Sequence, residues 1–212
     1  MPEFGPQALD SLRQPLETGE VMVARANHHI RYPAKVQLIA AQNPCRCGVG
    51  GPGRGHCGRA PRCQLAYQAR VSGPLLDRID LKLDVPPVTA ADLARPHAAE
   101  STAEVAARVA RARQAQADRA EDAGEGAAPL NARAEGTWLE KIAALDAPAS
   151  TLLAKAAESA VLTARGWTRT LRLARTIADL EGSDPVRRVH VAEALIYRRV
   201  HAAGEGASHC DA

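Results

Sequence analysis

Four cysteines fall within nineteen residues: Cys45, Cys47, Cys57 and Cys63, spaced C-x-C-x9-C-x5-C. The stretch that carries them, NPCRCGVGGPGRGHCGRAPRC, holds too much glycine and proline for a long helix or strand. Four thiolates in such a loop suit a closed, tetrahedral structural Zn2+ site, in which the metal stands in for the apolar core the loop lacks. The spacing lacks the usual C-x-x-C pairs. Free thiols, or a set of two or three true ligands, are therefore the alternative, and His56 is a possible substitute ligand. The loop also holds Arg46, Arg54, Arg59 and Arg62, a basic cluster suited to phosphate.

Three other residues have types that could act on a nucleotide. Arg78 lies in VSGPLLDRIDL, just after a turn braced by Gly73 and Pro74. A guanidinium there can face the oxygens of a phosphate that gains charge during hydrolysis, or it can pair with Asp77 or Asp80. Asn43 ends the apolar run of KVQLIAAQNP. A neutral amide in that place can orient an attacking water, or serve as a turn residue before Pro44. Arg165 precedes Gly166 in the helical part of the chain, with Arg169 and Arg172 close by as competitors for the same role. The seven histidines are scattered and read as surface residues, and no nucleophile–base set stands out. The sequence contains no G-x-x-x-x-G-K-[ST] phosphate loop.

The elements around these residues follow from pattern. Leu9, Leu12 and Leu16 mark one side of a helix that Gly19 stops. Residues 20–34 read as a β-hairpin, whose tip and flanks carry Arg25, His28, His29 and Arg31. These four either form a solvated turn or touch a nucleic-acid backbone. Lys35–Gln42 reads as a buried strand, Gln64–Arg70 as a short helix, and Ile79–Val85 (IDLKLDV) as an alternating strand ended by Pro86. Thr102–Ala120 is a long helix with few large apolar residues, expected to pack thinly, and Glu121–Pro129 reads as a linker. From Leu130 the pattern is helical, with Asp184 and Pro185 as the expected N-cap and first position of the last helix.

At 212 residues, the chain is long enough for one domain or for one and a smaller partner. With one Phe, three Tyr and two Trp, its core must be aliphatic and rich in alanine. A net charge of +3 permits a nucleic-acid partner without demanding one. There is no apolar run of membrane-spanning length and no secretory pattern at the start, so a cytoplasmic setting is expected, in which cysteines serve as ligands or free thiols.

Five segments together resemble one family: PEF…LDSLRQPLETGEV (2–21), RYPAKVQLIAAQNPCRCG (31–48), YQARVSGPLLDRIDL (67–81), ARGWTRTLRLARTIADLEG (164–182) and HVAEALIYRR (190–199). They are similar to the magnesium-chelatase-like AAA+ ATPases, in the branch that includes competence protein ComM. The resemblance implies an α/β fold: a partial AAA+ core with an incomplete parallel sheet and a β-hairpin insert, followed by an all-helical lid domain. The implied divisions are residues 1–87 for the core, 88–129 for a helical insert and linker, 130–203 for the lid and 204–212 for a disordered tail. It also implies roles: Asn43 as the sensor 1 residue, Arg78 as an arginine finger acting on the next subunit's ATP, and Arg165 as the sensor 2 arginine. The hairpin would face DNA, the four cysteines would match the family's Cys-rich loop, and the working form would be a homo-hexameric ring that uses ATP with Mg2+ and acts in DNA branch migration.

The chain departs from the family in one respect. There, PEF follows the Walker B carboxylates, whereas here Met1 precedes it, and the 212 residues hold neither Walker A nor Walker B. The expectation is a C-terminal fragment, unable to hydrolyse ATP by itself, with sheet edges left uncovered. Two other readings stand beside it: a stand-alone, non-enzymatic zinc- and nucleic-acid-binding module, and a metal-insertion chelatase subunit. The Cys-rich loop favours the ComM-like branch over the latter.

Overall fold

The computed structural model describes residues 1–25, 28–48, 57–94, 100–124, 129–159 and 162–199. The chain divides into two units. The first comprises Met1–Ile79 with Val85–Ala94, and the second Asp80–Asp84 with Arg95–Ala212. No helix among the described residues is long and apolar enough to cross a membrane.

The first unit opens with two short helices, α1 (Pro6–Ser11) and α2 (Arg13–Thr18). The sequence reads there as a single helix, but the helical backbone is interrupted at Leu12. Gly19 ends α2 in the left-handed region, with φ at 69°, which an L side chain adopts only under strain. Strands β1 (Glu20–Arg25) and β2 (His28–Pro33) then form the expected antiparallel hairpin, with Glu20 opposite Pro33 and Arg25 opposite His28. Helices α3 (Arg62–Gln68), α4 (Gly73–Leu76) and α5 (Ala90–Ala94) complete the unit. Its small core is Leu9, Val71 and Leu75, with Met1, Leu12, Leu16 and Leu76 packed around them.

The expected parallel sheet is not found among the described residues, where the hairpin forms the sheet. Lys35–Gln42 and Ile79–Val85 carry no strand. A strand needs a neighbouring strand to take its N–H and C=O groups in a ladder. Among the described residues each run has single backbone contacts, the Met1 amine to the Ala41 carbonyl at 2.6 Å and the Lys82 N–H to the Tyr197 carbonyl at 3.1 Å, and no paired strand. Their apolar side chains face outward accordingly: Ile39 is 87% exposed and Val85 88%.

The second unit is helical. Helix α6 (Thr102–Ala123) starts at a capping box, in which Ser101 accepts from the Glu104 N–H while the Glu104 side chain accepts from the Ser101 N–H. Its inward stripe is narrow, as its composition dictates, with Ala112, Gln116 and Ala120 buried, and it packs on α9. A 3-10 turn at Asn131–Arg133 leads to α7 (Gly136–Ile142), α8 (Ala147–Glu158), α9 (Ala164–Glu181) and α10 (Arg188–Arg199). Asp146 caps α8 and Thr163 caps α9, each through its side chain. The core runs from Leu139 and Ile142 through Leu153, Leu171 and Ala174 to Val191 and Leu195.

Two expectations fail in this unit. Asp184 does not begin the last helix, which starts at Arg188. Instead the Asp184 carbonyl accepts from Arg175. His190 is not a surface residue. It is 2% exposed, its Nδ1 accepts from the Arg187 N–H at 3.0 Å and its Nε2 pairs with Glu181. The first bond leaves the ring proton on Nε2, facing the carboxylate. The tail expected to be disordered lies outside the described residues.

Candidate functional site

The loop before α3 and the start of α3 bring the four cysteines together. The Sγ atoms of Cys45, Cys47, Cys57 and Cys63 all lie within 4.8 Å of one another, and Cys45 is fully buried. The Cys45 and Cys47 sulfurs are 2.8 Å apart, too far for the roughly 2.05 Å of a disulfide. Four sulfurs bound tetrahedrally to one ion at about 2.3 Å stand about 3.8 Å from each other. The cluster thus needs only small shifts to close on a metal. The electrostatics agree. The Arg59 N–H lowers the Cys57 pKa, but hydrogen bonds with Cys47 and Cys63, together with desolvation, outweigh it and push the thiol up to about 11. Sulfurs packed this closely hold their protons unless a cation neutralises them. His56, the possible substitute ligand, lies outside the described residues, as does Arg54.

Arg78 follows α4 and is held by the first unit's helices. Its Nε is 2.8 Å from Glu17 Oε2 on α2 and its Nη1 donates to the Pro74 carbonyl at 2.7 Å, with 11% of the side chain exposed. Asp80, one of the two carboxylates foreseen as a partner, pairs instead with Arg169 at 2.5 Å. Nothing local in the sequence points to Glu17, which is 61 residues away. Asn43 is exposed in a segment without regular secondary structure rather than at the end of a strand. Arg165 is exposed in the first turn of α9, two residues after its cap. Gly166 beside it permits a close approach, because a Cβ there would come within 3.3 Å of Leu162 and of the capping Thr163. Arg172, one competitor for the role of Arg165, is tied to the Ala134 carbonyl and to Glu135.

The hairpin splits its four basic residues between two faces. Residues opposite each other in the ladder share a face, so Arg25 and His28 lie on one side and His29 and Arg31 on the other. Arg31 also pairs with Glu20 at 3.4 Å. The four are exposed, close to the tip and aimed in two directions. The sequence pattern groups the four residues at the hairpin and does not show this division, which the ladder register decides.

Comparison with known proteins follows the same two units. Residues 1–93 match the family model "Magnesium chelatase, subunit ChlI", and residues 99–198 match "Magnesium chelatase, subunit ChlI C-terminal". Among curated relatives, the uncharacterized protein YifB of Salmonella typhimurium is 39% identical over 202 residues, covering 94% of this chain and 38% of YifB. Competence protein ComM of Haemophilus influenzae is 37% identical over 201 residues, covering 93% of this chain and 37% of ComM. An uncharacterized protein of Mycobacterium tuberculosis, Rv2897c, is 37% identical over 200 residues, covering 94% of this chain and 39% of its own length. The chain thus spans under two fifths of the length of these relatives.

Proposed function

The chain belongs to the magnesium-chelatase-like family, and on that premise we propose that it supplies the DNA-facing and subunit-bridging parts of a ComM-like AAA+ ATPase. The observation that carries this reading is the similarity to ComM along nearly the whole chain, through both family segments. In this reading Arg78 acts on the ATP of a neighbouring subunit, where Glu17 holds the guanidinium until a γ-phosphate competes for it. Asn43 orients the attacking water, and Arg165 reaches the nucleotide from the helical part. An arginine that acts across a subunit boundary needs a head-to-tail assembly, and the resemblance to the family makes that assembly a homo-hexameric ring. Arg25, His28, His29 and Arg31 present positive charge to DNA from two sides of the hairpin tip. Cys45, Cys47, Cys57 and Cys63 hold one Zn2+, which fixes the loop without taking part in chemistry.

ATP with Mg2+ is bound only within a complete core, since these 212 residues contain no phosphate loop to cradle it. The purified chain is accordingly expected to show no Mg2+-dependent ATP turnover above a protein-free blank, with or without DNA. Sustained turnover that disappears with EDTA would remove the reading. The same missing loop favours one other account, a non-enzymatic zinc- and nucleic-acid-binding module. It shares the metal and DNA predictions and differs in needing no ATPase partner.

A further inference from the structure

Beside the cysteine cluster lies a groove of about 650 Å3, lined by Arg46, Arg59, Arg62, Cys63, Tyr67 and Arg70, with Gly58, Ala60, Pro61 and Ala66 between them. Four guanidinium groups and no carboxylate line it. All four arginines are exposed. Among the described residues no acidic side chain forms an ion pair with any of them, and the Arg70 guanidinium meets only the Pro2 carbonyl, at 3.2 Å. Glu3, an acid close to the wall, acts on the Tyr67 hydroxyl, whose pKa burial raises first and Glu3 raises further. Like charges gathered without counter-charge repel one another, and an anion relieves that cost. Arginine forks suit phosphate in particular, because two parallel N–H groups match two of its oxygens.

The groove is also built rather than incidental. Arg46 stands between Cys45 and Cys47, Arg59 two residues after Cys57, and Arg62 directly before Cys63. Whatever draws the four sulfurs together sets the spacing of three of the arginines. Arg70 comes from just beyond α3, whose buried Tyr67 anchors the wall. A concave site of this volume exceeds what a lone phosphate fills and matches a segment of polymer. A concave wall also fits a strand better than a bilayer surface.

We propose that this arginine-lined groove binds the phosphodiester backbone of a single nucleic-acid strand, as a contact separate from the hairpin tip and shaped by the cysteine cluster. The inference rests on the DNA-acting reading above and adds the place and the residues. Contacts here go to backbone phosphates, so binding depends on salt and is tolerant of sequence.

The test compares three forms of the zinc-loaded full chain binding a labelled oligothymidylate of about 20 nucleotides, longer than the site size of a small single-strand binding fold. These are the unaltered chain, Arg46→Gln/Arg59→Gln/Arg62→Gln, and Arg25→Gln/Arg31→Gln. Counterion release predicts that the groove variant binds on the order of 10- to 50-fold more weakly at about 0.15 M salt, with a log–log salt slope shallower by about 2. The corresponding triple lysine variant should recover most of the affinity, since it keeps the charge. Zinc content and melting should match the unaltered chain, because the three side chains are exposed. The proposal is overturned if the groove variant stays within about twofold of the unaltered chain while the hairpin variant loses binding. That result would leave the DNA reading standing. If the unaltered chain binds no nucleic acid, both fall. Displacement by polyglutamate as effective as by unlabelled oligonucleotide overturns the proposal in favour of an acidic polypeptide.

Discussion

Cys45→Ser is expected to take the chain from about one bound zinc to none and to loosen the first unit around α3. Cys45 is the fully buried member of the cluster, so its sulfur has no solvent-side substitute. The loop offers little else to hold it. Few side chains are buried in the described part of this unit: Pro2, Cys45 and Tyr67, and the core trio Leu9, Val71 and Leu75. Structural zinc in small peptides contributes roughly 10–16 kcal/mol of apparent binding energy, which is folding energy where no site pre-exists. A strong chelator should therefore act like the substitution and open Cys57–Arg70 to protease and to hydrogen exchange. The pH dependence has a definite sign. With the Cys57 thiol raised to about 11 in the metal-free protein, zinc must displace protons that the cluster holds near neutral pH. Zinc affinity rises with pH and falls as the solution is acidified. Full zinc retention by Cys45→Ser, with unchanged protease sensitivity, would remove the metal from the account.

Asp179→Ala is expected to destabilise the second unit by about 3–5 kcal/mol, read from denaturant or thermal unfolding. The Asp179 carboxylate is 1% exposed and lies 2.8 Å from Arg175, itself 2% exposed, and 2.5 Å from Arg119 on α6. Asn131 donates to its second oxygen at 2.7 Å. Arg175 also donates to the carbonyls of Ile142, Ser183 and Asp184, tying α9 to the end of α7 and to the turn before α10. Burial lowers the Arg175 pKa and the Asp179 charge opposes that shift. Removing the carboxylate leaves Arg175 without its counter-charge in a closed interior and takes a partner from Arg119, which is 22% exposed. Replacing Arg175 and Asp179 together with leucines should cost clearly less than the sum of the two single changes, since the fully buried Arg175 cation is then not left without its carboxylate and only the part-exposed Arg119 loses a partner. A loss of under about 1 kcal/mol for Asp179→Ala would show that the network contributes little.

The sequence made local features legible and left non-local ones hidden. The hairpin could be read because strand alternation and a polar turn lie within fourteen contiguous residues. Gly19 ends α2 where glycine is favoured, as its place after the leucine pattern indicates, whereas the side-chain caps at Asp146 and Thr163 emerge only from the structure. Cysteine type and spacing suggested the metal cluster, and its closure needs only one loop. The two expected strands misled because an apolar run reports a wish for burial and says nothing of the neighbour that provides it. Lys35–Gln42 has the composition of a buried strand and lacks the ladder. The Arg78–Glu17 pair, the Arg119–Asp179–Arg175 network and the burial of His190 all join residues that pattern alone cannot match. The basic cluster of Arg46, Arg59 and Arg62 is legible in the sequence, whereas their sharing one groove with Arg70 is not.

The most direct test of the proposed DNA-facing role is the affinity of the zinc-loaded chain for forked and single-stranded DNA, titrated across salt concentration. The account predicts binding whose log K falls linearly with log salt, with a slope of about −0.7 for each phosphate contacted on a single strand, and weaker binding once a chelator has stripped the metal. Absence of binding at about 0.05 M salt, where such contacts are strongest, or binding indifferent to salt and to chelator, would contradict it.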